Sequence, residues 1–116
     1  MSQVGGNITA TVQTKKEVWN NEIFERESAW VDACTLRGWL DLQSGDSKYT
    51  THKAKLEEST HIFLCDFCAD VYALAGSDTR MIIKGQVYDV LLIDNPMELD
   101  AQLEISLRKV GAWDGR

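Results

Sequence analysis

Three cysteines and two histidines are the residues in this sequence best suited to metal or redox chemistry. Cys65 and Cys68 form a C-x-x-C pair, and Cys34, His52 and His61 offer the further ligands of a four-ligand zinc site. The pair lies in or at the end of a predicted strand, where residues three apart point to opposite faces. We therefore expect packing roles for the thiols, no metal and no cofactor. A zinc-bearing interaction module using Cys65 and Cys68 is the alternative hypothesis.

Other combinations of reactive residues give no active site. A redox dithiol of the thioredoxin type needs more helix than the segments beside the C-x-x-C pair predict. A hydrolase based on Cys68 and His61 has no further support, since any chain with both residue types contains such a pair. Carboxylate pairs lie near predicted turns, and Gly45 and Gly76 are isolated rather than part of a phosphate-binding loop. We expect that the protein is not an enzyme.

Length and charge narrow the classes of function further. The chain has 116 residues, which suits one domain, and 18 acidic against 12 basic residues give a net charge of -6. A duplex-binding protein usually presents a basic face, so tight binding to the phosphate backbone is not expected. The sequence has no apolar run long enough to span a bilayer and no secretory signal at its start. The odd number of cysteines favours a reducing cytoplasm.

Alternating apolar and polar residues predict β-strands along most of the chain. The predicted strands cover residues 8–13, 30–42, 60–67, 80–84, 87–93 and 103–108. Gly38 suggests a bulge or bend, and Gly85-Gln86 predicts a tight hairpin link. Residues 15–27, around Asn20-Asn21, suit either a hairpin or a ragged loop. We expect a mainly β fold: a small antiparallel β-barrel or sandwich of five to six strands, with a long internal loop and little helix.

The domain prediction follows from these elements. Residues 1–7 form a flexible N-terminal arm, residues 8–111 a single barrel-like domain with its long loop at 43–59, and residues 112–116 a C-terminal tail. Trp30 shares its position in the alternation with Leu36 and is predicted to lie in the core. Trp39 points the other way, and we predict that it lies in a protein interface.

The order of these motifs resembles the head-tail joining, or head-closure, proteins of long-tailed phages, which are stopper-type connector components. The similarity covers about residues 8–110. It rests on the strand at 8–12, a Trp-led strand at 30–34, Gly38-Trp39-Leu40 running into Ser44-Gly45, and a hairpin motif with Arg80, Gly85 and Tyr88 followed by Asp94-Asn95-Pro96. The C-x-x-C pair is not part of the family pattern.

The resemblance implies a structural virion protein at the head–tail interface, assembled in the cytoplasm of a bacterial host. Such a protein forms a ring beneath the portal and adaptor, can be monomeric when isolated, closes the DNA-filled head and offers a surface on which tail proteins dock. DNA passes without specific binding, and neither a membrane, a cofactor nor catalysis is involved. The loop at 43–59 is implied to line the channel, with the candidate residues Gly45, Asp46, Tyr49, Lys53, Lys55 and Leu56. Another connector part, such as an adaptor or tail terminator, is the second alternative.

Overall fold

The computed structural model describes residues 5–42 and 59–115. These residues form six antiparallel strands in one closed sheet, with very little helix. The strands are β1 (Ile8–Asn20), β2 (Glu25–Leu42), β3 (His61–Asp66), β4 (Thr79–Ile83), β5 (Gln86–Asp94) and β6 (Gln102–Ala112). One short helix, α1 (Ala69–Tyr72), follows β3, and a 3₁₀ turn (Pro96–Glu98) precedes β6. The prediction of a mainly β antiparallel barrel is confirmed.

The barrel closes because β1 pairs with both β2 and β4, in the strand order β1-β2-β3-β6-β5-β4. The register is staggered around the ring. Starting at Ile8 on β1, the successive cross-strand partners are Gly38, Cys65 and Leu103, which lies near the start of β6. Ala10 lies two residues further along β1. In the other direction around the sheet, its successive cross-strand partners are Ile83, Gln86 and Ala112, which lies at the end of β6. Such a stagger tilts the strands against the barrel axis and leaves no open edge where the ring closes.

The core fills the inside of the barrel with the apolar residues of each alternating strand. Its buried members are Ala10, Val12, Leu36, Phe63, Cys65, Val71, Met81, Ile83, Tyr88, Ile93, Leu103, Ile105 and Leu107. Residues directly opposite in an antiparallel pair share a face, so Ala10 and Leu36 mark the inner side of the β1–β2 pair. The alternation predicted for β3 and β6 therefore corresponds to burial inside the barrel.

A bulge in β2 reverses the alternation between its two halves. Val12 lies opposite Cys34 and Gln13 opposite Asp32, so Ala33 has no partner on β1. One extra residue moves every residue before it to the other face. Trp30 consequently lies opposite Lys15 on the outer face, and the prediction that Trp30 belongs to the core is wrong.

Gly38 marks a close approach of three chain segments. A Cβ at this position would meet the Leu64 carbonyl oxygen and would lie 2.8 Å from the Phe63 ring. The segment before β1 passes the same point, where the Asn7 N–H donates to the Gly38 carbonyl at 3.1 Å. Gly5 and Gly6 also bond to the barrel, through Asp66 and Arg37 respectively. Residues 5–7, which belong to the N-terminal segment predicted to be flexible, are thus held against the sheet.

The β4–β5 hairpin turns at Lys84 and Gly85, one residue earlier than the predicted Gly85-Gln86 link. Both residues have positive φ, 49° and 76°, as a two-residue hairpin turn requires. The pair Ile83 and Gln86 closes the turn. Gly85 therefore supplies the left-handed conformation that a side chain would oppose.

Beyond the barrel, β1 and β2 continue as a two-stranded ribbon, which we call the arm (residues 15–30). Pairing between β1 and β4 ends at Thr14, whereas pairing between β1 and β2 runs on to Asn20 and Glu25. Of the two alternatives for this segment, the structure has the hairpin. The described residues extend over 49 × 30 × 26 Å, and the arm accounts for a projection of about 20 Å at 3.3 Å per residue.

The predicted long loop at 43–59 lies outside the described residues except for Ser59, which is buried. In the ranges that are described, no helix has the length and apolar character needed to cross a membrane.

Candidate interaction surface

The end of the arm exposes an unusual set of apolar side chains, which we call the apolar tip. It consists of Val18, Trp19, Ile23 and Phe24, whose exposed fractions are 37%, 56%, 51% and 76%. None of them belongs to the buried core or to the partly buried apolar residues packed against it. Large apolar side chains grouped on a projecting element are typical of a protein–protein interface.

Side-chain hydrogen bonds order the turn at the tip. The Trp19 indole Nε1 donates to Asn21 Oδ1 at 2.7 Å, and the Glu22 N–H donates to Asn20 Oδ1 at 2.8 Å. The indole thus has its polar atom satisfied within the turn and keeps its apolar rings for an outside contact. A tip that is already ordered loses less conformational entropy when it binds.

Phe24 has a backbone conformation that its side chain disfavours. Its φ is 53°, in the left-handed region where Gly and Asn are common and bulky residues are outliers. Its ring is the most exposed of the tip, so packing within the described chain does not compensate for this cost. A strained and exposed aromatic residue points to a role outside the monomer.

A row of polar residues crosses the outer face of the barrel where the arm begins. Asp32, Gln13, Arg80, Asp89 and Arg108 lie opposite one another in turn on β2, β1, β4, β5 and β6. Gln13 donates to Asp32 and accepts from Arg80 Nε, both at 2.8 Å, and Arg108 pairs with Asp89 at 3.0 Å. We call these five residues the outer polar row.

Trp30 covers the middle of the outer polar row. The Arg80 guanidinium carbon lies 4.4 Å from the centre of the Trp30 ring, and Lys15 Nζ lies 5.6 Å from it. Burial lowers the pKa of Arg80, while Asp114 and Asp89 act in the opposite direction. The stacking of Arg80 on Trp30 therefore links the base of the arm to β4, whereas Lys15 reaches the same ring from the neighbouring strand of the arm.

The residues of the family-type hairpin motif have structural positions in β4 and β5. Arg80 and Tyr88 are buried, Arg80 on the outer face and Tyr88 in the core. Gly85 forms the turn, and Asp94 ends β5 opposite Glu104. The next residue, Asn95, is buried and bonds to the backbone and side chain of Asp100, which closes the connection to β6. The motif therefore builds the sheet rather than an exposed site.

All three cysteines are free thiols, with Cys65 buried and Cys34 and Cys68 partly buried. Burial, followed by the neighbouring Cys68, raises the pKa of Cys65 to about 12. Burial also raises the pKa of Cys34, with smaller contributions from Cys68 and Asp70. Within residues 5–42 and 59–115, no three His, Cys, Asp or Glu side chains are arranged to hold a metal ion. His52, one of the ligands considered for zinc, lies outside these ranges.

The remaining sequence-predicted site residues are in two groups. Trp39 is 43% exposed on the outer side of β2, and its interface role stays a prediction. The candidate channel residues Gly45, Asp46, Tyr49, Lys53, Lys55 and Leu56 lie outside the described residues.

Sequence reasoning missed the apolar tip and the outer polar row. The signal for the tip was present, since Trp19, Ile23 and Phe24 flank an Asn-Asn turn in an otherwise charged segment. The row had no sequence signal, because its members come from five strands. Comparison with known proteins finds neither a family model nor a curated protein that matches this chain.

Proposed function

We propose that this chain is a structural component of a phage head–tail connector, where it closes the DNA-filled head and gives the tail a docking surface. The observation that supports this best is a closed barrel carrying an ordered arm whose apolar tip is exposed. A structural protein that acts by binding other proteins needs such an exposed element. The family resemblance indicates the assembly in which this binding would take place. The proposal makes the protein a ring-forming virion part with no catalytic role.

The charge of the chain suits a passage for DNA. A net charge of -6 disfavours a tight grip on phosphates, so DNA can pass without specific binding. The segment proposed to lie near the channel, residues 43–59, is outside the described residues apart from Ser59. In this proposal the whole protein binds the portal or adaptor on one side and tail proteins on the other.

A phage whose gene for this chain carries a stop codon tests the proposal directly. We expect that its heads package DNA, lose it to added nuclease and join no tails, and that supplying the intact chain restores both properties. Heads that retain protected DNA and still join tails would overturn the proposal. Heads that retain DNA but join no tails would instead favour another connector part, such as an adaptor or tail terminator.

A further inference from the structure

The arm has two open backbone edges, one on each strand. Pairing of β1 with β4 stops at Thr14, and pairing of β2 with β3 starts only at Gly38. Between these limits, each strand of the arm pairs with the other strand alone in the described part of the chain. An open edge is a row of N–H and C=O groups ready to pair with another strand.

The structure shows which residues present these groups. The Lys15 N–H donates to the Asp78 carbonyl at 3.1 Å, away from β2. Lys15 and its opposite residue Trp30 are therefore a non-hydrogen-bonded pair, whose backbone groups point out of the ribbon. Because this pattern repeats every second residue, Glu17 and Trp19 point outward from the β1 edge. On the β2 edge the outward residues are Ser28 and Arg26, which lie opposite them.

We infer that the arm pairs with the arm of a second copy of this chain, the β1 edge of one copy against the β2 edge of the next. This inference rests on the proposed ring-forming function. Pairing of two different edges is heterologous, so each copy uses both of its edges and the contact repeats around a ring. Antiparallel pairing also points all the arms the same way, as a ring requires.

The charges of the two edges are complementary. The β1 edge carries Lys15, Lys16 and Glu17, a net charge of +1, whereas the β2 edge carries Glu25, Arg26 and Glu27, a net charge of -1. Oppositely charged residues directly or diagonally across a strand pair stabilise it. Two copies of the same edge would bring together segments with the same sign of net charge, so the charges favour the mixed pairing.

The same arrangement explains the apolar tip. Arms paired side by side bring Trp19, Ile23 and Phe24 of one copy next to those of its neighbours, which removes them from water. Strands lie 4.7–4.9 Å apart, so a two-stranded arm occupies only about 10 Å of the ring. The described residues span 26 Å in their smallest dimension. The arms must then converge toward the ring axis while the barrels spread around them.

Two proline variants test the pairing one edge at a time. Glu17→Pro removes an outward N–H from the β1 edge, and Ser28→Pro removes one from the β2 edge, both without breaking a bond inside the arm. Sedimentation velocity from about 10 μM to about 1 mM, a range chosen to detect contacts as weak as millimolar, measures association. We expect wild type to associate and each variant alone to associate at least about tenfold more weakly, because hydrogen bonds are lost. Circular dichroism checks that both variants are folded.

Mixing the two variants gives the decisive result. Glu17→Pro keeps a working β2 edge and Ser28→Pro a working β1 edge, so the mixture should form one-to-one dimers and nothing larger. Leu99→Ser, at an exposed residue away from the arm, is the matched control and should associate like wild type. A third variant, Phe24→Asn, suits the left-handed turn and should weaken association without lowering stability.

Three outcomes would overturn the inference. Wild type that stays monomeric up to about 1 mM shows no pairing between copies at the concentrations that detect a millimolar contact. Association lost in one proline variant only shows pairing of like edges, and association lost in Phe24→Asn only shows a contact through the tip alone. The stop-codon phage separates this inference from the proposed function: leaking heads with a monomeric chain overturn the pairing alone, and sealed heads with a paired chain overturn the function alone.

Discussion

At the scale of single residues, His61, at the start of β3, makes the stability of the barrel depend on pH. Its ring meets the Tyr88 ring edge-on at 5.1 Å, and its Nδ1 lies 2.9 Å from Thr60 Oγ1. Burial, and then the positive charge of Lys109, lowers the pKa of His61 below its ordinary value near 6.5. The folded state therefore resists protonation of this ring more than the unfolded state does.

This shift gives stability that depends on pH in a defined direction. Above about pH 6.5 the ring is neutral in both states and its full contribution is present. As the pH falls from about 6.5 toward the lowered folded pKa, the unfolded state gains a proton before the folded state does, and the free energy of unfolding decreases. We expect wild type to lose more thermal stability between pH 7.5 and pH 5 than His61→Gln, measured by differential scanning calorimetry. Equal losses in the two proteins would contradict this assignment, since all other titrating groups are shared.

Cys65 should be the least reactive of the three thiols. With its pKa raised to about 12 and its side chain 1% exposed, it holds almost no thiolate at pH 8. We expect its alkylation by iodoacetamide to be on the order of a thousandfold slower than in the urea-unfolded chain, as peptide mass spectrometry can measure. Alkylation of native Cys65 at the unfolded rate would show that the core opens there.

At the scale of elements, Gly38 is the point where β2 acquires its second neighbour. An added Cβ would press on the Leu64 carbonyl, which the β2–β3 ladder holds in place, and on the buried Phe63 ring. We expect Gly38→Ala to lower the free energy of unfolding by about 2 kcal/mol or more in urea titrations. The matched control is Gly85→Asn, at an open turn position with positive φ that Asn tolerates, which should cost less than about 1 kcal/mol. Equal stability of Gly38→Ala and wild type would mean that β2 and β3 can separate without loss.

The alternation of residues predicted the strands well because burial inside a barrel imposes a period of two. Leu103, Ile105 and Leu107 are all buried, as that pattern requires. The prediction failed where a bulge interrupts this period and where the side chains have no core to pack against. The bulge at Ala33 moved Trp30 to the outer face, and residues 15–29 alternate weakly because the arm has no core to face. Sequence periodicity reports packing inside a chain, so it says little about an element whose contacts lie outside it.

At the scale of the whole molecule, the structure divides into a barrel that holds itself together and an arm that contributes little to it. No residue between 17 and 28 belongs to the core, and the arm's attachments lie at its base, in the outer polar row and in Trp30. Natural sequences seldom retain an exposed apolar element without use, because exposed apolar groups and open strand edges promote aggregation. The division predicts that folding and assembly can be separated experimentally.

Removing the arm tests this separation. Lys16 and Ala29 form a hydrogen-bonded pair in the pattern set by Lys15, and such a pair is the one that closes a two-residue turn. We expect a chain with residues 17–28 replaced by Asn-Gly to keep the near-ultraviolet circular dichroism of the barrel. Its unfolding should stay cooperative, with a midpoint within about 5 °C of wild type. The shortened chain should be monomeric at every concentration, because both open edges and the apolar tip are gone. Loss of cooperative unfolding would instead show that the arm is part of the folding unit, and its exposed side chains would then need a different explanation.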